Sequence, residues 1–228
     1  MQGKTEILTL YKKLGETPLE CLRRFRDTHQ EYAEVKMTYL GRLDPMAEGL
    51  MLVLAGNTRD REQYLKLDKT YEFEVLWGFE SDTYDILGLI TGLGKRPAKL
   101  ENKMAGLLKK IMQKKTQLYP AYSSRTVSGK SLFMWAREWD AVGQRFMIEE
   151  VDIPERNIKV FSIEHIHTRL ATGKEIWEDI SRKIAMVQGD FRQKNILNLW
   201  QNTFYARQKE DFLISKFKID VSSGTYVR

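Results

Sequence analysis

The carboxylate whose surroundings best suit chemistry is Asp44, in the stretch Tyr39-Leu-Gly-Arg-Leu-Asp-Pro-Met-Ala-Glu-Gly-Leu-Met-Leu-Val-Leu54. Gly41 and Gly49 flank it, and Pro45 biases Asp44 toward extended backbone and away from helix. Residues 50 to 55 form an unbroken apolar run, the length of a buried strand. An acid held in a stiff turn at the end of a rigid strand is a candidate nucleophile or base. The same residues also read as a turn that feeds a core strand.

The elements that must position this loop follow from pattern. Residues 5 to 11 read as a strand, and Lys12-Lys-Leu-Gly-Glu-Thr-Pro18 as a turn ending in an N-cap threonine with proline at the first helical position. The spacing predicts a helix to about His29 with Leu19, Leu22 and Phe25 on its inner face. Residues 57 to 65 predict a short helix. Tyr71, Phe73, Val75 and Trp77 then alternate along a half-buried strand over 69 to 77, with Tyr71 on its apolar face. Residues 81 to 88 read as a polar loop whose side chains bond their own backbone.

A helix is predicted over 98 to 113, with lysines opposite Leu100, Met104, Leu107, Leu108 and Ile111. Residues 117 to 130 mix aromatics, hydroxyls and cations in an extended segment. Such a mix stacks on bases and binds phosphates, and it also suits an edge strand with a turn. A short helix over 131 to 139 and a strand over 157 to 168 follow. Two amphipathic helices come next, one marked by Trp177, Ile180, Ile184 and Val187, the other by Ile196, Leu199, Trp200 and Phe204. Because residues 212 to 221 resume strand alternation, we read 169 to 210 as a helical insertion.

With 228 residues and 42% hydrophobic content the chain folds around one large core or two modest ones. A single cysteine, Cys21, excludes intramolecular disulfides and thiolate-rich metal sites. His165 and His167 have no carboxylate partner in the pattern, so no metal is expected. The N-terminus has no apolar signal core, and no run approaches the roughly 18 apolar residues of a membrane span. A cytoplasmic protein without membrane contact is expected. Residues 94 to 145 carry twelve Lys and Arg against three acids, a segment charge of +9 within a net +6, so the remainder is −3. A basic face of that kind suits a polyanion.

Several of these pieces together resemble the TruB family of tRNA pseudouridine synthases. Gly41-Arg-Leu-Asp-Pro-Met-Ala-Glu-Gly49 resembles the family's catalytic loop, Gly-x-Leu-Asp-Pro-x-Ala-x-Gly. Lys69-Thr-Tyr71 matches its Lys-x-Tyr strand, and Gly78-Phe-Glu-Ser-Asp-Thr-Tyr-Asp-Ile-Leu-Gly88 its next loop. Residues 117 to 137 resemble its Pro-x-Tyr-Ser-Ala segment, and Gly224-Thr-Tyr-Val-Arg228 its Gly-Thr-Tyr-Ile-Arg strand. Any one motif is weak, but five in the same order are not. The resemblance implies an α+β pseudouridine synthase fold: a mixed, mostly antiparallel bent sheet flanked by helices, with a central RNA-binding cleft. It implies isomerisation of a uridine to pseudouridine in the T arm of tRNA, by a cofactor-free monomer that flips the base. Asp44 is then the catalytic nucleophile or base, Arg228 its ion-pair partner, and Tyr71 the ring over the flipped base. Lys12, Tyr39, Arg42, Arg125 and Lys130 are the implied substrate contacts, Lys12 and Gly15 matching part of the family's Asp-Lys-Pro-x-Gly turn.

The sequence departs from the family at three places. Tyr39 stands where the family has a histidine that helps displace the base. Thr126 stands where it has a lysine, with Arg125 adjacent. The chain stops at Arg228, so the family's C-terminal RNA-binding domain is expected to be absent. Two rival readings follow. Gly41-Arg-Leu-Asp44 also resembles rRNA pseudouridine synthases of the RsuA and RluA type, although Asp44-Pro45 and the 81 to 88 loop favour TruB. Tyr39 and the early end fit a tRNA-binding or tRNA-folding protein of weak catalytic power.

Overall fold

In a computed structural model, residues 5–59, 61–95, 97–141 and 152–228 are described, which leaves Arg96 and Arg145 of the basic segment outside. The N-terminal elements are β1 (Glu6–Lys12), α1 (Pro18–Thr28), β2 (Met37–Tyr39), β3 (Gly49–Ala55) and α2 (Arg61–Tyr64). Then come β4 (Lys69–Leu76), β5 (Phe79–Ser81), β6 (Ile90–Leu93), α3 (Leu100–Met112) and β7 (Thr116–Leu118). β8 (Thr126–Val127), β9 (Lys130–Ser131), α4 (Leu132–Ala141) and β10 (Glu155–Asn157) follow. The chain closes with β11 (Val160–Thr172), α5 (Gly173–Ala185), α6 (Gln193–Tyr205) and β12 (Asp211–Val221). Every described ladder with a defined register is antiparallel, so the fold is mixed α+β as expected. No described helix is long and apolar enough to cross a membrane. The chain divides into two compact units, one of residues up to 67 with 172–210, the other of 68–171 with 211–228.

In the first unit β3 lies between β1 and β2, with Leu10 opposite Met51 and Tyr39 opposite Val53. Strand alternation puts Leu8, Leu10, Met51 and Val53 on one face, where Cys21, Leu22 and Phe25 of α1 cover them. Cys21 is a free, buried thiol in that cluster. α1 starts where the sequence says: Thr17 Oγ1 accepts from the Glu20 amide, Glu20 accepts from the Thr17 amide, and Pro18 opens the helix. Leu19, predicted on the inner face, is 50% exposed. At 100° per residue it lies roughly 110° from the centre of the stripe made by Cys21, Leu22 and Phe25, so it faces water. α5 has the same reciprocal cap between Thr172 and Glu175. Its Ile176, Ile180 and Ile184 are buried, as are Ile196, Trp200 and Phe204 of α6, and Gly173 lets the start of α5 close onto the Phe204 ring. The predicted helix over 57 to 65 shrinks to the single turn α2.

In the second unit β12 lies between β11 and β4. Phe73 and Phe217 are direct cross-strand partners with ring centroids 5.5 Å apart. Leu100 and Met104 of α3 pack onto that face with Val75, Trp77, Leu107 and Leu108. The other face of the pair is charged, with a Glu72–Lys216 ion pair at 2.7 Å. His165 is tied into this unit: its Nε2 bonds Thr168 Oγ1, which bonds Ser215 Oγ, which accepts from Trp77 Nε1. The 81–88 loop is built as expected, Asp85 Oδ1 accepting from Thr83 Oγ1 and the Leu87 amide, and Asp82 Oδ1 from the Leu89 amide.

Candidate active site

The Asp44 loop joins β2 to β3 and is braced from three directions. The Ala47 amide donates to Asp44 O at 2.9 Å, closing a turn with Pro45 at its second position, where proline's fixed φ is favoured. The Gly15 amide donates to Pro45 O at 2.8 Å. Lys12 Nζ donates to Ala47 O at 2.5 Å and to Lys13 O at 3.0 Å. Lys12 is opposite Gly49 in the β1–β3 ladder, which brings its side chain beneath the loop. Asp44 itself is half-buried.

Lys12, a substrate contact implied by the resemblance, lies beneath the loop in the structure. Its side chain is completely buried, and its ammonium donates to two backbone carbonyls, Lys13 O and Ala47 O, so it braces the loop. Burial lowers its pKa, while the nearby carboxylates Glu16, Asp44 and Glu20 and the Cys21 sulfur oppose that shift. The turn that carries it is fastened by a bidentate pair, Arg24 Nε to Glu16 Oε1 at 2.6 Å and Arg24 Nη2 to Glu16 Oε2 at 3.0 Å. Burial alone would raise the Glu16 pKa; the Arg24 hydrogen bond, the Lys13 amide and the two cations outweigh it and hold it low.

Gly15 links this turn to the helical pair. Its φ is +85°, its carbonyl accepts from the Gln188 amide at 3.4 Å, and a Cβ there would run into the Met186 backbone carbonyl. Tyr39 packs against the Leu10, Leu22 and Met51 cluster and is half-buried. The exposed Arg42 guanidinium sits 5.9 Å from the Tyr39 ring centroid, a cation on an aromatic face. Lys12, Tyr39, Arg42 and Asp44 therefore all belong to the first unit.

Tyr71, Arg125, Lys130 and Arg228 belong to the second. Tyr71 and Val227 both pack on the buried cluster of Val160, Ile219 and Val221, which ties the Tyr71 strand to the segment that ends in Arg228. Arg228 Nη2 donates to Tyr122 O at 3.1 Å, and its guanidinium stands over the Tyr226 ring. The Tyr226 phenol is pushed up mainly by burial. Arg125 is exposed and stacks over Tyr119 at 5.1 Å. Lys130 is engaged: its Nζ is 2.7 Å from Glu138 Oε1 and 4.1 Å from the Trp135 centroid. Its charge is offset locally, which leaves Arg125 as the cation of this pair better placed to meet a phosphate. Sequence pattern missed Gln117 and Arg156, which grip residues 223–226 through side-chain-to-backbone hydrogen bonds. Such bonds leave no periodic trace in a sequence.

Antiparallel ladders with helices against them, and an aspartate turn at the entry to a central strand, agree with the pseudouridine synthase fold that the resemblance implies. Residues 29–190 match the family described as TruB family pseudouridylate synthase (N terminal domain). The chain belongs to the TruB family. That match runs through α5, and so includes residues 169–190 that the motif resemblance left out. A tRNA pseudouridine synthase B of Caldanaerobacter subterraneus subsp. tengcongensis is 34% identical over 161 residues, 70% of this chain and 52% of that one. One of Nostoc sp. is 31% identical over 170 residues, 74% and 53% of the two chains. One of Lactococcus lactis subsp. lactis is 26% identical over 226 residues, 97% of this chain and 63% of its own. The chain spans about half the length of the first two, 52% and 53%.

Proposed function

We propose that this protein isomerises a uridine of tRNA, in the T arm, to pseudouridine. The observation that carries the reading is the aspartate turn, matched within the family and held by Lys12, Gly15 and its own Ala47 amide. A carboxylate at catalytic work must be ionised and fixed in direction, and a braced turn supplies the second requirement. The first we assign to Arg228, which the family resemblance makes the partner of the carboxylate and which in that role would favour its charged form.

The reaction breaks the N1–C1′ bond, rotates the uracil and forms a C5–C1′ bond. The proton on C5 leaves and N1 gains one, so the product is an isomer and no cofactor is consumed. Asp44 acts as the nucleophile or base on the flipped nucleotide, and Tyr71 stacks on its ring close to the departing C5 proton. Tyr39, with Arg42 on its face, takes the place the base vacates. Arg125 and the lysines of α3 hold phosphates. The relatives' names, which specify tRNA, support the substrate.

The test is pseudouridine mapping after incubation with a tRNA transcript, an isolated T-arm hairpin and rRNA fragments. Modification of tRNA and of the hairpin is expected. Modification confined to rRNA would replace the substrate assignment, and tight T-arm binding without product over many hours would make the protein a binder.

A further inference from the structure

Gln117 and Arg156 are direct cross-strand partners in the β7–β10 ladder, so their side chains stand side by side on one face. Both are directed at the terminal segment. Gln117 Oε1 accepts from the Tyr226 amide at 3.0 Å, and its Nε2 donates to Tyr226 O at 3.0 Å. One side-chain amide thus serves both polar backbone groups of Tyr226, as a neighbouring strand would. Arg156 Nη2 donates to Ser223 O at 3.3 Å, and its guanidinium lies against Gly224 so closely that a Cβ there would collide with it. Gly224 also has φ +80°, so only glycine suits both the turn and the contact. Tyr119 completes the arrangement, with the Arg156 guanidinium 5.5 Å above its ring and Tyr226 edge-on at 5.9 Å.

We propose that Gln117 and Arg156 form a clamp that fixes the backbone of residues 223–226 and thereby sets the direction in which Arg228 is presented. They are positioning residues: they touch the terminal segment that carries the arginine, and neither meets substrate. The proposal rests on the reading of Arg228 as the partner of the Asp44 carboxylate. Val227, between clamp and arginine, is itself packed on the Val160, Ile219 and Val221 cluster, so an error in backbone direction at Tyr226 passes on to Arg228. Small misplacements of an orienting group have large kinetic effects.

The test uses the full chain and a tRNA transcript, with Gln117→Leu, Arg156→Ala and Arg228→Lys measured singly and Gln117→Leu combined with Arg228→Lys. Gln117→Leu and Arg156→Ala are each expected to lower kcat by about tenfold or more while KM moves less than about threefold. In the Arg228→Lys background Gln117→Leu should remove less than about twofold more, because the clamp acts through that side chain. Hydrogen exchange at the Tyr226 amide should accelerate in Gln117→Leu. Wild-type kcat in Gln117→Leu, or a full multiplicative loss on top of Arg228→Lys, overturns the proposal. Should Gln117→Leu not fold, Gln117→Glu takes its place: it accepts from the Tyr226 amide but cannot donate to its carbonyl. A lowered kcat in Gln117→Glu supports the clamp, and an unchanged one overturns it. If the wild type turns over no RNA, the functional reading falls, and the Tyr226 exchange rate decides the clamp: faster in Gln117→Leu for it, unchanged against it.

Discussion

Gly15→Ala probes how firmly the Asp44 loop is held. Two costs combine at this position. An alanine at φ +85° occupies the left-handed region, at about 1–2 kcal/mol. Its Cβ would also press into the Met186 backbone carbonyl, and relief by backbone movement costs about 1–3 kcal/mol. The sum is about 2–5 kcal/mol, and at roughly 2–4 °C per kcal/mol for a chain of this size the melting temperature should fall by about 4–20 °C. Gly129→Ala is the control, because Gly129 has φ +78° but open space where the Cβ would go, so only the first cost of about 1–2 kcal/mol applies. Denaturant and thermal unfolding of both variants isolate the collision. Activity gives a second reading: the Gly15 amide grips Pro45 O, so a displaced turn frees the Asp44 loop, and kcat should fall while tRNA affinity holds. Equal stability losses in the two variants, with wild-type kcat in Gly15→Ala, would refute the close approach of Gly15 to Met186 as a brace of the Asp44 loop.

Lys12→Met removes the buried ammonium from Ala47 O and Lys13 O; kcat should drop with tRNA affinity unchanged, whereas a loss confined to affinity would make Lys12 a substrate contact. Glu16 is a depressed carboxylate, so its contribution to stability is present above its unfolded pKa of about 4.3 and is lost as pH falls through the lower folded value. Wild type and Glu16→Gln should therefore differ most near neutrality and converge at acid pH; a gap that widens on acidification reverses the sign and contradicts the pairing. The exposed α3 lysines should make tRNA binding salt-dependent, and Lys109→Ala with Lys110→Ala should reduce the slope of log affinity against log salt by up to about 2. An unchanged slope moves the phosphate contacts elsewhere.

What the sequence made legible were the features with local cause. Thr17-Pro18 and Glu20 specify the start of α1 because cap, proline and reciprocal carboxylate lie within one turn. The alternation of Tyr71, Phe73 and Val75 identifies β4, since one face of that strand meets α3. Ile180, Ile184, Trp200 and Phe204 mark α5 and α6 by period alone. Leu19 was misplaced because a stripe drawn through one hydrophobic residue too many shifts its centre. The burial of Lys12 is not legible in the sequence, because it depends on Ala47, brought close only when β1 pairs with β3. Gln117 and Arg156 depend on a contact with residues more than sixty positions away, a kind of information periodicity does not carry.

Tritium release from tRNA labelled at C5 of uridine addresses the central claim most directly, because joining C5 to the sugar displaces that proton. The expected result is release by the wild type, with none from Asp44→Asn although that variant binds the tRNA with nearly the same affinity. Release from Asp44→Asn at the wild-type rate, or a wild type that binds and releases nothing, would contradict the claim.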